Sequence, residues 1–537
     1  MAVGFARQGV VPYLFLLLVL LVFHVRSLGN GFHYDDEHSL LKNPHVRSLE
    51  ALPSFFTDAR TFSENPTYAM YRPLVVVTYT FNYALSGYTA RGYLAFNLAI
   101  HCLATLLVFH LLGQLGFARL PALAGALLFG LHPAQTEVVN YISSRSESMA
   151  GLFSLAAFSA YLHSLDAPAR RLWLPLSLLA FALGLLSKST ALALPLLLLL
   201  HHYLLAPRRP LKPHLPYWIL SSLYVFLYAA LSGQGIEKAS QVRDFSSQVA
   251  TQAKALVHYL LLSIMPVHLN IQQQFFTSAS LGAALPLLGL LVSLSLVWWA
   301  WRSGSPWVPF ALGWFLLSLS PTLVIPLNIL VNDHRLYLAL FGMALLAAHW
   351  LTESRAHWPL WVLCLLLGVL CFVRAGVWRD ELTLWQDAVR RAPLMAEAQY
   401  NLGYAYHQAG DLEHARQAYE KAVALSPAYT RAQVNLGAVY REQGALGKAA
   451  AAFEQALATE PGMVEALNNL GLVYAGQGQS DRAIALYQQA LARAPEQAEI
   501  WLNLGLACRD SGRREQAVLA LGRAIQLDPA LKERFGP

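Results

Sequence analysis

Two adjacent carboxylates, Asp35 and Asp36, follow directly on a hydrophobic stretch long enough to cross a bilayer. A carboxylate within hydrogen-bond reach of a hydroxyl can take its proton as a general base. Downstream, four cations stand at the ends of apolar runs: Arg72 in "YRPL", Arg145 in "LHPAQTEVVNYISSRSE", Lys188 in "LLSKST" and Arg335 in "VNDHRLYLA". Arginine grips a phosphate with two donors at once, and lysine serves as a point charge. Base and cations together fit transfer chemistry on a phosphate-activated group. His132 and Glu137, in the same segment as Arg145, are expected to position donor or acceptor through hydrogen bonds. A metal shared by them with Asp36 is the alternative, although no tight cluster with ligand spacing is present. Adjacent residues project in different directions, so one Asp is expected to be the base while the other caps or orients the start of "EHSLLKN"; Asp36 is the expected base. Arg145 and Arg335 have a plainer reading as interfacial anchors, and His201 and His202 receive no role.

The elements that position these residues follow from composition. With 56% hydrophobic and only 13% charged residues among 537, the chain is a polytopic membrane protein. The net charge of +7 comes without a dense basic run, so nucleic acid is not an expected partner. Cys102, Cys364 and Cys371 lie in apolar segments and Cys508 in a helical repeat, which leaves no disulfide framework. The opening apolar run is long and lacks a clean cleavage site, so it reads as a retained first helix. Eleven transmembrane helices are expected, near 11–28, 92–113, 119–131, 147–165, 172–187, 190–205, 217–232, 281–301, 307–321, 335–351 and 358–376. An inside amino terminus places "DAPARR" (Asp166–Arg171), "APRRPLKP" (Ala206–Pro213), Arg302 and Arg355 in the cytoplasm, where Lys and Arg collect. Pro73–Leu85 and Lys254–His268 are left over and read as helices in the outer interface. On this map the carboxylates and cations share the outer face, and polar groups gathered at a membrane boundary mark a site.

Near Val377 the Leu-rich runs give way to Ala, Gln, Glu, Arg and Tyr, which separates a membrane domain, 1–376, from a second domain, 377–537. There Pro393, Pro427, Pro461, Pro495 and Pro529 recur every 34 residues, in register with Asn401, Asn435, Asn469 and Asn503 of "NLG". That period, with Tyr406, Tyr440 and Tyr474 and with Ala415, Ala449, Ala483 and Ala517, predicts tetratricopeptide (TPR) repeats. Four full repeats (394–427, 428–461, 462–495, 496–529) follow a capping half-repeat, 378–393. The fold class is therefore all-α: a membrane helix bundle followed by a TPR α-solenoid. The Asn column faces the concave groove, where amides can bind the backbone of an extended acceptor peptide; docking of another protein partner is the competing reading.

The order of "DD", "RPL", "HP..TE.V..I..R.E", "SK", "R.LYL" and terminal TPRs resembles the transmembrane-and-TPR O-mannosyltransferases that act on cadherins, the TMTC family, over nearly the whole chain. More broadly it looks like a GT-C glycosyltransferase. The pattern departs at Ser189, where relatives often carry Glu after the Lys. The resemblance implies an enzyme that moves a hexose, mannose by analogy, from a polyprenyl-phosphate carrier to Ser or Thr of exported proteins. Donor contacts would come from Arg72, Arg145, Lys188, Arg335, His132 and Glu137, and a divalent metal is left open. The lipid phosphate, with a last pKa of about 6, leaves without a general acid. Short loops and Ala, Leu and Arg richness point to a bacterial inner membrane with a periplasmic site and TPR domain; an endoplasmic reticulum membrane with a lumenal site is the alternative. Two other readings stay open: a polyprenyl-phosphate-sugar-dependent transferase acting on a glycan or lipid, and a non-catalytic TPR scaffold for envelope assembly or secretion.

Overall fold

The computed structural model describes residues 9–165, 170–232, 243–324, 329–354 and 358–532. Asp166 to Ala169 of the expected basic loop, and Arg355, lie outside the described residues. The chain divides into two units, Met1–Leu384 and Trp385–Pro537.

In the first unit each of the eleven expected stretches is a helix, with bounds that agree to within about four residues. The fold is all-α, with no strand among the described residues. Among the described residues six helices are long and apolar enough to cross a membrane: Val11–Gly29, Ala90–Gln114, Lys212–Leu231, Ala284–Arg302, Asp333–Glu353 and Trp358–Trp378. Four more are shorter apolar helices, among them Arg119–Gly130. Twelve residues give that helix a length of about 18 Å, well short of a hydrocarbon core of about 30 Å. The chain beyond it must therefore turn inside the protein, because unpaired backbone facing lipid is not tolerated. It does so: every residue from Ala124 to Gly151 is buried, including the polar segment Leu131–Glu147.

Close helix contact is set by small residues, as expected where lipid offers no hydrophobic drive. A Cβ on Gly125 would stand 2.7 Å from the Ala344 carbonyl oxygen, so only glycine allows the helices 119–130 and 336–353 to approach this far. The two leftover stretches are also helices, Pro73–Ser86 and Phe245–Ile264. Neither meets the length and hydropathy of a span. Pro73–Ser86 carries buried Thr80 and Asn82, and Phe245–Ile264 carries buried Gln248, Thr251 and Gln252.

The second unit contains the helix pairs 396–408 and 412–425, 430–442 and 446–459, 464–476 and 480–491, and 498–510 and 514–527. Gly410, Gly444, Gly478 and Gly512 turn each pair with φ of 76°, 75°, 75° and 78°. This left-handed conformation is the usual helix terminator and is free of penalty only for glycine. Within pairs, Cβ atoms on Gly403 and Gly437 would each come within 2.7 Å of the Tyr419 and Phe453 rings. The "NLG" glycine is therefore the seat on which the second helix rests a large side chain, aromatic in the first three repeats and Leu521 in the fourth.

Candidate active site

The carboxylate pair sits in a tight reversal just past the first membrane helix. Tyr34 adopts φ 47°, the sole positive φ at a non-glycine position among the described residues. For an L-residue this conformation costs about 1–2 kcal/mol, and such strain clusters at functional sites. The next turn, Glu37–Leu41, is a single π-helical turn, a second local departure of the kind found at functional sites.

The two aspartates are placed differently. Asp36 is 0% exposed. Its Oδ1 accepts from the Ser143 backbone N–H at 2.8 Å and the Ser143 hydroxyl at 2.7 Å, and its Oδ2 accepts from the His33 N–H at 3.0 Å. Burial pushes its carboxyl up to about 6, against the pull of Ser143 and His33 toward the charged form. A carboxylate whose oxygens are occupied in this way ties two chain segments together, and it caps neither end of the following turn. The Asp35 side chain is 43% exposed, with Oδ1 3.4 Å from the His38 Nε2. His38 is held in turn by the Ser63 hydroxyl at 3.0 Å and packs on the Tyr68 ring at 4.8 Å. The backbone N–H of Asp35 donates to the Tyr141 hydroxyl at 3.3 Å.

The segment Leu131–Glu147 is the wall that joins this pair to the cations. It gives Ser143 to Asp36, Ser144 and Glu137 to His334, Ser146 to Arg72, and Glu147 to Lys188. Lys188 Nζ lies 2.8 Å from Glu147 Oε2 and 3.4 Å from His334 Nε2. His334 Nδ1 lies 2.7 Å from Glu137 Oε1. Glu147, Lys188, His334 and Glu137 thus form one chain of opposite and complementary groups, with both carboxylates buried and Lys188 and His334 partly exposed. Burial pushes the Glu137 carboxyl upward, opposed first by Arg374 and then by His334, Lys188 and Arg335. Burial lowers the Lys188 ammonium, and Glu147 holds it up. Arg72 makes a 3.3 Å bond to the Ser146 hydroxyl and lies over the Phe62 ring at 5.3 Å. Arg335 donates to the Leu330 and Ile329 carbonyls at 2.8 and 2.7 Å.

Two expected donor contacts stand elsewhere. Arg145 is 0% exposed and its guanidinium is taken by Asn97 Oδ1 at 2.7 Å, Asn82 Oδ1 at 2.6 Å, Thr78 Oγ1 at 3.1 Å and the Tyr93 carbonyl at 3.0 Å. It pins the helices Pro73–Ser86 and Ala90–Gln114 to its own and has no free fork for a phosphate. His132, 1% exposed, spends Nε2 on the Ser263 carbonyl at 3.2 Å and accepts the Ala134 N–H on Nδ1 at 3.2 Å. Both ring nitrogens are used, and burial pushes its pKa down to about 4, so it is a neutral turn cap. Among the described residues no group of three His, Cys, Asp or Glu side chains is placed to share a metal ion.

His334, Glu147, Ser143 and Tyr141 are not marked out by sequence as single residues, although all lie in the motifs that are. Their signal is the density of polar residues in an otherwise apolar context, since a fully buried segment retains few polar residues that are not paired.

In the second unit three of the four Asn amides are engaged with neighbours, and the buried Asn401 Nδ2 meets no acceptor among the described residues. Asn435 donates to the Tyr400 and Tyr419 hydroxyls at 3.3 Å each, Asn469 to the Glu465 carbonyl at 2.9 Å, and Asn503 to Asn468 Oδ1 at 3.0 Å. Asn401 is 8% exposed. A recess lined by Val464, Glu465, Asn468, Asn469, Gln497 and Glu499 opens between repeats.

The tetratricopeptide repeat family matches residues 468–531, and a second TPR repeat family matches 403–444 and 437–478. Arrays of this kind bind proteins. A protein O-mannosyl-transferase of Caenorhabditis elegans is 25% identical over 439 residues, 77% of this chain and 62% of the relative. The human protein O-mannosyl-transferase TMTC1 is 37% identical over 146 residues, 26% of this chain and 17% of the relative. The chain thus spans less than two thirds of the length of these relatives. The crystal structure of MamA is 24% identical, with 28% of this chain and 89% of that chain covered and a TM-score of 0.27. The curated homologues are protein O-mannosyl-transferases of the TMTC family.

Proposed function

We propose that this chain is a membrane glycosyltransferase that moves mannose from a polyprenyl-phosphate carrier to Ser or Thr hydroxyls of exported proteins, on the outer face of a bacterial inner membrane. The observation that carries the reading is the pairing of one accessible carboxylate, Asp35, with the partly exposed cations Arg72 and Lys188 across a shared wall. Asp35 accepts the proton of the acceptor hydroxyl as its oxygen attacks C1 of the sugar; the C1–O bond to phosphate breaks and the lipid phosphate leaves with the electron pair. His38 orients Asp35, and Asp36 fixes the loop through Ser143. Arg72, with a single long bond to Ser146, has donors to spare for the phosphate. Lys188 adds charge, exchanging part of its hold on Glu147 and His334 for the ligand. Arg335, already bonded to two carbonyls, contributes field and only part of its fork. Glu137 keeps His334 oriented toward Lys188. Acceptor proteins dock through the TPR groove, in which Asn401 offers its amide to an extended backbone directly and Asn435, Asn469 and Asn503 do so once their internal bonds are exchanged.

The direct test is mass spectrometry of exported proteins and glycolipids from cells with and without this gene. Hexose on Ser or Thr of exported proteins should disappear with the gene. Loss confined to glycolipids or glycans would point instead to a non-protein acceptor. The outer-face assignment has its own check: a reporter active only outside the cytoplasm should work when fused at the carboxyl terminus and fail when fused at Pro207. Equal activity at both positions would overturn the topology.

A further inference from the structure

We infer that Glu381, just beyond the last membrane helix, is a positioning residue for Asp35; the inference rests on the assignment of Asp35 as the base. Glu381 is remote in sequence from the carboxylate pair, yet its Oε1 accepts the Tyr34 N–H at 2.8 Å and lies 3.3 Å from the His33 Nδ1. Tyr34 is the residue with φ 47°, and its carbonyl side leads straight into Asp35. The bond from Glu381 therefore holds the strained peptide that aims Asp35. Asp36 needs no such help, being fixed through Ser143.

Neighbouring contacts keep the loop docked independently of Glu381. Asn30 Nδ2 donates to the Ala375 carbonyl at 2.9 Å, and the His33 Nε2 lies 2.7 Å from the Trp378 carbonyl. The Trp378 ring stacks on Tyr141 with centroids 5.9 Å apart, and Tyr141 is the acceptor of the Asp35 N–H. Removing the Glu381 side chain should thus leave the loop in place while releasing Tyr34 toward an ordinary negative φ, which turns the Asp35 side chain away. The Glu381 side chain is 37% exposed, so its truncation opens no sealed cavity in the core.

The test uses the full chain in detergent, a short-chain polyprenyl-phosphate mannose and a Ser-containing acceptor peptide. Glu381→Ala should lower kcat by about 10- to 50-fold with donor KM within about twofold, because a misaimed base costs turnover and leaves ground-state binding intact. Glu381→Gln keeps a side-chain oxygen for the Tyr34 N–H and should stay within about threefold of the unmodified protein. Tyr34→Gly in the Glu381→Ala background should regain at least about fivefold, because glycine adopts positive φ without penalty. Unchanged turnover in Glu381→Ala overturns the inference. So does an equal loss in Glu381→Gln that Tyr34→Gly leaves unrelieved, which would make Glu381 a general structural support. Asp35→Asn separates the layers: if it keeps full turnover, the base assignment falls and this inference with it. If it is inactive while Glu381→Ala is intact, only the inference falls.

Discussion

Asp35→Asn should cut turnover by about 10²- to 10⁴-fold with donor affinity little changed, because Asn matches Asp in size yet cannot take a proton. Asp36→Asn should behave in the opposite way. Its Oδ1 can still accept from both Ser143 donors, but its amide then faces the His33 N–H, donor against donor, where the carboxylate accepted at 3.0 Å. A buried mismatch of that kind costs about 1–3 kcal/mol, so the variant should show a lower thermal midpoint while each folded molecule retains most of its turnover. Measuring donor KM, kcat and thermal midpoint for both variants separates base from tie. If Asp36→Asn loses turnover at full stability and Asp35→Asn is silent, the assignment is reversed. If neither loses turnover, the glycosyltransferase mechanism has no base in this loop.

The contrast between the two aspartates shows what a sequence can carry. "DD" is visible at a glance, and so is its place just past the first apolar helix, because hydrophobic runs of known length fix where helices end. The eleven helices and the 34-residue repeat are legible for the same reason: each is a signal summed over many residues. Which carboxylate is buried depends on one contact across 107 positions, Asp36 to Ser143, and no local pattern contains it. The same holds for Glu137 and His334, 197 positions apart, and for Glu381 and Tyr34, 347 apart. Residue type brings Arg145 and His132 to notice, but their roles are set by partners on other segments. Type therefore finds the segment, and only tertiary contact shows which cations are spent on packing.

Arg145 gives the second large effect, and it is an effect on stability. Its guanidinium supplies hydrogen bonds to Asn97, Asn82, Thr78 and the Tyr93 carbonyl and sits 4.7 Å from the Phe96 ring and 5.0 Å from the Tyr79 ring. Arg145→Met fills part of the volume yet leaves three buried acceptors and the half-buried Thr78 hydroxyl without their donor, a loss of about 3–5 kcal/mol when discounted for relaxation and non-additivity. The detergent-solubilised variant should denature at a clearly lower temperature and accumulate poorly. Arg145→Lys should rescue little, because one ammonium cannot span acceptors arranged around a planar fork. Arg72→Met is the matched control. Arg72 is partly exposed and has one 3.3 Å bond to Ser146, so its loss should leave the thermal midpoint nearly unchanged and raise donor KM instead. Were Arg145→Met to keep its thermal midpoint and raise donor KM, Arg145 would belong to the phosphate grip after all. With the predicted outcome, one arginine holds three helices together so that the other can meet the donor.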